Sequence, residues 1–264
     1  MTTDAVSRHE STDDSGIART FDRDGFVVLD GLLDDQEVRT YREIYERFLS
    51  GEIDAGDKRS DLGAGAGPNT AAENITQIMW PSDLYPAIRS LPLHDRALAI
   101  ARRLIGEDAE LDFDMLIAKA PGSATPTPWH QDAGYWVDLP DERAASIWVS
   151  LDQATVDNGC MWYVKGSHLG PVRPHRPVGS GGGAIECDCS EDEPGATPVP
   201  LPPGAAVAHA GRTLHYSRGN TTDLPRRAYI LNFRPGAMIA RERELGMDHG
   251  RTENVRKVRN AQAG

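Results

Sequence analysis

From residue 111 to residue 234 the sequence reads as short apolar runs broken by turn residues, and this limits the folds open to it. Residues 111–120 end at Pro121-Gly122 and residues 145–151 at Asp152-Gln153. Met161–Val164, 197–201, 205–209 and 226–234 follow. Such runs, joined by Pro and Gly turns, predict a mainly β chain built as a sandwich or double-sheet barrel. The first hundred residues differ. Phe26–Leu29 and residues 75–80 predict strands. Between them Val38, Tyr41, Ile44, Tyr45 and Phe48 recur at three and four positions, which predicts an amphipathic helix from Asp34 or Asp35 to about Ser50. Helices are also expected near 83–90 and 93–105, the second opened by Asp95 and Arg96 and stopped by Gly106. These helices would cover the outer face of one sheet. No internal repeat is visible.

At 264 residues the chain fits one large domain, expected over 19–240, with polar tails at 1–18 and 241–264. The N-terminal tail is expected to be disordered. With 28 Lys and Arg against 40 Asp and Glu, the net charge of −12 repels phosphate backbones, so no nucleic-acid partner is expected. No apolar run is long enough to span a membrane, and the first residues lack the basic-then-apolar pattern of a secretory signal. Three cysteines are few and odd in number, which fits free thiols and a cytoplasmic setting. Cys187-Asp188-Cys189 is read as an acidic loop, because no second ligand pair lies nearby. The glycine run within residues 51–74 is read as a long loop. No strand precedes it and no Lys-Ser or Lys-Thr follows, so it is not a phosphate cradle.

The chemistry centres on Pro128-Trp129-His130-Gln131-Asp132. On an extended segment residues two apart share a face, so His130 and Asp132 can reach one metal ion. A second imidazole, here His215, completes the two-histidine, one-carboxylate set of non-haem Fe(II) oxygenases. The H-x-D pair alone is weak. Its surroundings are more selective: Lys119-Ala120-Pro121-Gly122 before it, then Asp157-Asn158-Gly159-Cys160-Met161 and Gly166-Ser167-His168, then His215-Tyr216-Ser217, Gly219-Asn220 and Pro225-Arg226-Arg227.

In order and spacing these motifs resemble the phytanoyl-CoA dioxygenase family of Fe(II)- and 2-oxoglutarate-dependent oxygenases, from about Phe21 to Pro235. The resemblance implies a double-stranded β-helix, the cupin-like jelly roll. It implies Fe(II) on His130, Asp132 and His215 as the catalytic set, with 2-oxoglutarate and O2 on the remaining positions of the ion. The far carboxylate of 2-oxoglutarate needs a planar, bidentate cation. Strand alternation leaves Arg226 and Arg227 as alternatives; the family's spacing, eleven residues after the second histidine, selects Arg226. Ser217, Gln131 and Trp148 match family positions around that co-substrate. Asn158, Gly159, Gly166 and Asn220 read as turn formers, and His209 as a packed histidine.

Asp132 disfavours halogenation, since related halogenases lack that carboxylate. Hydroxylation of a small molecule in secondary metabolism is therefore expected, with desaturation, epimerisation or cyclisation as alternatives on the same metal set. A catalytically silent binding protein on this barrel is the reading from another class, and the intact ligand set argues against it. For the substrate, Tyr135, Trp136 and Trp162 are expected as an apolar wall. Residues 170–195, too long for a hairpin turn, are expected to form a loop insertion, either a lid over the site or a disordered surface insertion. Arg173, His175 and Arg176 would be its contacts.

Overall fold

The computed structural model describes residues 14–63, 73–178 and 183–252. In chain order the first elements are α1 (Asp14–Asp24), β1 (Phe26–Leu29), α2 (Asp35–Leu49), β2 (Arg59–Asp61), β3 (Ile75–Met79), α3 (Pro81–Leu84), α4 (Pro92–Ile105) and β4 (Ala109–Lys119). Then come β5 (Thr127–His130), β6 (Ala145–Ser150), β7 (Met161–Val164), β8 (Arg176–Pro177), β9 (Ile185–Glu186) and β10 (Ala196–Val199). The last are β11 (Ala206–His209), β12 (His215–Ser217), β13 (Arg226–Pro235) and α5 (Gly236–Glu244).

The strands form two antiparallel sheets, ordered β1-β11-β6-β13-β4-β3-β2 and β10-β7-β12-β5, with β8 and β9 as a separate hairpin. Trp148 and Val207 of the larger sheet share one buried cluster with Met161, Tyr163 and Val199 of the smaller, so the sheets face each other as a jelly roll. Strand alternation explains the second core. Tyr229, Leu231 and Phe233 of β13 point outward and pack under α2 and α4, with Tyr41, Tyr45, Phe48, Leu93 and Ala97. The α2 helix starts where Asp34 and Glu37 form a reciprocal capping box. Among the described residues no helix is long and apolar enough to cross a membrane.

Several boundaries differ from those the sequence suggests. The α1 helix begins at Asp14, inside the expected tail, because Ile17 and Phe21 give it an apolar side that packs on the core. At the other end α5 runs through residue 240, and Glu242 and Met247 beyond it are buried. Pro92 rather than Asp95 opens α4, where a missing N–H costs nothing. The β2 strand lies inside the expected long loop; Arg59-Ser60-Asp61 carries no apolar signal, yet it pairs along the edge of β3. Residues 1–13, 64–72, 179–182 and 253–264 lie outside the described residues, and with them most of the glycine run that starts at Gly63 and of a second one at 179–183.

Candidate metal centre and its cavity

Strand pairing sets the first two ligands side by side. His130 ends β5 and stands directly opposite His215, the first residue of β12. Their rings lie 4.1 Å apart between centroids. The chain leaves β5 at once and enters a short 3-10 turn at Asp132–Gly134, which swings the Asp132 carboxylate toward both. Asp132 Oδ1 is 3.8 Å from His130 Nε2 and 3.5 Å from His215 Nε2. One ligand atom from each residue lies within 4.8 Å of the others, the spacing a single ion requires.

Each group is oriented from behind. His130 Nδ1 lies 2.7 Å from the Pro128 carbonyl, and His215 Nδ1 lies 2.8 Å from the Thr213 carbonyl. A carbonyl only accepts, so each Nδ1 carries the hydrogen and each Nε2 presents its lone pair to the centre. Burial lowers the pKa of both imidazoles, His215 well below the ordinary value, which keeps them neutral ligands. Burial pushes the Asp132 carboxyl up, but His215, His209 and His130 outweigh it, so the carboxyl is held below its ordinary range. The second oxygen, Oδ2, accepts from Ser146 Oγ at 2.6 Å and lies 3.2 Å from His209 Nε2. Asn232 Nδ2 donates to Ser146 Oγ at 2.7 Å. Two neutral imidazoles and one carboxylate, convergent and supported, suit a divalent cation.

The same cavity holds an unpaired cation. Arg226 opens β13 and is 1% exposed. Its guanidinium lies over the Trp148 ring at 5.2 Å, and its Nε and Nη1 have no protein hydrogen-bond partner. Ser217 Oγ, buried in the same cavity, also has none. Burial pushes the Arg226 pKa down to about 10. A desolvated guanidinium without a carboxylate is costly unless an anion meets it. A dicarboxylate such as 2-oxoglutarate fits that demand. Lys119, register partner of Arg226 and fully buried, donates to the Thr125 carbonyl at 3.0 Å. Arg227 faces the other way, paired with Asp152 at 2.9 Å and with Glu46.

Tyr135, Trp136 and Trp148 line the cavity; other residues named from the sequence do not. The Gln131 side chain points away from it: Nε2 donates to the Arg212 carbonyl at 2.6 Å, and Oε1 accepts from the Arg173 N–H at 2.7 Å. One residue past His130, it takes the opposite side of the segment. Trp162 alternates with Met161 and packs outside β7 against Arg218 and Tyr216. Arg173 is held by Glu193 at 2.6 Å, and Arg176 by Glu186 at 2.8 Å and Asp188 at 3.2 Å. His175 is buried behind the metal segment, where its Nε2 accepts from the Gln131 backbone N–H at 3.0 Å. The expected loop insertion reaches the cavity through Ala184 and Ile185 instead, with the Ile185 N–H donating to Tyr135 Oη at 3.2 Å. The sequence reading also missed Met79, Phe113, Met115 and the segment Met247-Asp248-His249. Alternation along β4 carries the signal for Phe113 and Met115; nothing in the sequence marks the C-terminal segment.

The family model described as Phytanoyl-CoA dioxygenase (PhyH) matches residues 21–228. Phytanoyl-CoA dioxygenase domain-containing protein 1 of Bos taurus is 30% identical over 159 residues, covering 58% of this chain and 55% of that protein. The chain thus spans only about half the length of this relative. The structure of EvdO2 from Micromonospora carbonacea var. aurantiaca complexed with 2-oxoglutarate superposes with a TM-score of 0.69 at 31% identity, covering 84% of this chain and 91% of that one. The epimerase SnoN, in complex with Fe3+, alpha ketoglutarate and nogalamycin RO, gives a TM-score of 0.68 at 28% identity, covering 83% and 82%. With the metal-spaced triad and the jelly roll already in place, these matches make the chain a member of the phytanoyl-CoA dioxygenase family of Fe(II)- and 2-oxoglutarate-dependent oxygenases.

Proposed function

We propose that this chain hydroxylates a small molecule of secondary metabolism, with Fe(II) held by His130, Asp132 and His215. Arg226 and Ser217 bind the far carboxylate of 2-oxoglutarate in this reading. The observation that carries it is the convergence in one cavity of the three ligands and a buried, unpartnered Arg226. When bound, iron and 2-oxoglutarate supply a two-electron oxidation driven by O2, with succinate and CO2 as co-products. The chain supplies position. The Pro128 and Thr213 carbonyls aim the imidazoles, and Ser146 and His209 fix the Asp132 carboxylate. Arg226 and Ser217 offer donors where the co-substrate's outer carboxylate must lie. Trp148, whose ring lies 5.2 Å from the Arg226 guanidinium, helps keep water from it.

The likeness to SnoN supports a second reading, in which the same oxidation serves epimerisation, with an added two-electron reductant such as ascorbate consumed because the product stays at the substrate's oxidation level. Desaturation and cyclisation draw on the same ligand set. Incubation with Fe(II), 2-oxoglutarate, 18O2 and a panel of natural-product intermediates separates these outcomes by mass spectrometry. Hydroxylation adds one labelled oxygen to the product and forms succinate in proportion. Loss of two hydrogens marks desaturation or ring closure, and an isomer of unchanged mass marks epimerisation. If no succinate forms with any compound, or without one, the barrel is a silent binding protein and the proposal fails.

A further inference from the structure

One wall of the cavity comes from residues that follow the last strand. After α5 the chain turns back, and Met247, Asp248 and His249 line the cavity beside Met79, Phe113 and Met115. What holds them there is a buried ion cluster. Arg234 of β13 reaches Asp112 of β4 at 3.1 Å and Glu242 of α5 at 2.7 Å. Arg243 pairs with the same two carboxylates. His249 Nε2 lies 3.0 Å from Glu242 and 3.3 Å from Asp112. The side chains of Asp112 and Glu242 are wholly inaccessible to solvent.

Asp112, Glu242 and His249 are spaced as metal ligands would be. Two guanidinium groups already lie on the two carboxylates, however, so a further divalent cation would face uncompensated buried charge. The cluster therefore works as a latch. It clamps two cavity walls with the same side chains: the Arg234 guanidinium lies over the Trp136 ring at 4.7 Å, and Glu242 Oε1 accepts from the Val137 N–H at 3.2 Å. The His249 ring packs against the Phe113 ring at 4.5 Å, tilted by 38°, and the His249 carbonyl accepts from Trp80 Nε1 at 3.2 Å. Trp80 and His249 are the non-glycine residues with positive φ among the described residues, at 57° and 54°. Backbone strain of this kind persists only where packing over-determines it, and it gathers at ligand sites.

The apolar part of the wall is alike in its chemistry. Met79, Met115 and Met247 are unbranched, polarisable thioethers, beside the rings of Phe113 and Trp136. The latch charges are spent on one another, and Asp248 accepts from the N–H groups of Arg251 at 3.1 Å and Thr252 at 2.8 Å. We propose that residues 247–249 form the substrate-selecting wall of the cavity, and that Met247, with Met79, Met115 and Phe113 beside it, selects an uncharged, ring-bearing apolar portion of the substrate. The proposal rests on the oxygenase reading for calling the ligand a substrate.

Equilibrium dialysis of the full-length chain against 2-naphthol, with and without Fe(II) and 2-oxoglutarate, tests it. With 2-oxoglutarate present to meet Arg226, the unmodified chain should bind 2-naphthol at least about tenfold more tightly than naphthalene-2-sulfonate, which buries a charge on the same ring. Met247→Trp should weaken 2-naphthol binding by about tenfold or more, since one buried side chain's worth of apolar contact is displaced. Met247→Ala, which adds no bulk, should shift preference toward the larger 2-hydroxyanthracene. No binding of 2-naphthol, equal binding of the sulfonate, or an unchanged preference in Met247→Ala overturns the proposal. Because the metal-free arm needs no turnover, a chain that forms no succinate refutes the oxygenase reading while leaving this binding result to be judged separately.

Discussion

Arg226 lies in the cavity without a protein hydrogen bond to Nε or Nη1, while Arg227 grips Asp152 on the other face of the same strand. The two neighbours therefore make opposite predictions. Arg226→Ala should raise the KM for 2-oxoglutarate by about ten- to a hundredfold, the loss of a charge-assisted carboxylate pair. Arg227→Ala should leave that KM nearly unchanged and instead lower stability in urea by roughly 1–3 kcal/mol, since Asp152 is left with Arg42 alone, at 3.2 Å. Steady-state assays with varied 2-oxoglutarate decide this, and a larger KM effect from Arg227→Ala would contradict the assignment. At this scale the sequence was most legible where identity and spacing coincide. His130, Asp132, His215 and Arg226 converge in one cavity. It was least legible where adjacent residues split between faces. Gln131 and Trp162 sit beside cavity residues in sequence and point away from them in space.

Elements show the same division. Apolar periodicity marks β4, β6, β13 and α2, whose buried faces the core fills. It does not mark β2 or β12, which are short and polar and owe their place to strand pairing alone. Nor does it mark the segment after α5, which is held by charges that meet only in three dimensions. That segment carries a pH dependence. Burial pulls the His249 pKa down, but Asp112 and Glu242 outweigh it and raise it above the ordinary value. Arg234 and Arg243 share the Glu242 carboxylate with it, and the Phe113 ring packs against it. A raised folded-state pKa means that the protonated imidazole contributes stability fully below its unfolded value, about 6.5, and that this contribution fades as pH rises through the folded value. The unmodified chain should therefore exceed His249→Gln in urea stability most on the acid side, near about pH 6, and less as pH rises. A stability difference that is flat or grows with pH would refute the charged latch.

At the scale of the molecule, the two cores have separate tasks. Helices seal the outer face of the larger sheet, and the space between the sheets is left for the ligand triad, Arg226 and the apolar walls. The jelly roll was legible because its turns are written in Pro and Gly; the shape of its cavity was not, because it draws on β3, β4, β9 and the C-terminal segment at once. The central claim is that His130, Asp132 and His215 form the iron site beside Arg226. It is tested most directly by anaerobic titration of Fe(II) into the chain with 2-oxoglutarate, followed by the visible charge-transfer band of the ternary complex. The band should saturate at one iron per chain, be lost in His215→Ala, and in Arg226→Ala need far more 2-oxoglutarate. A band of full intensity in His215→Ala, at the same iron concentration, would contradict it.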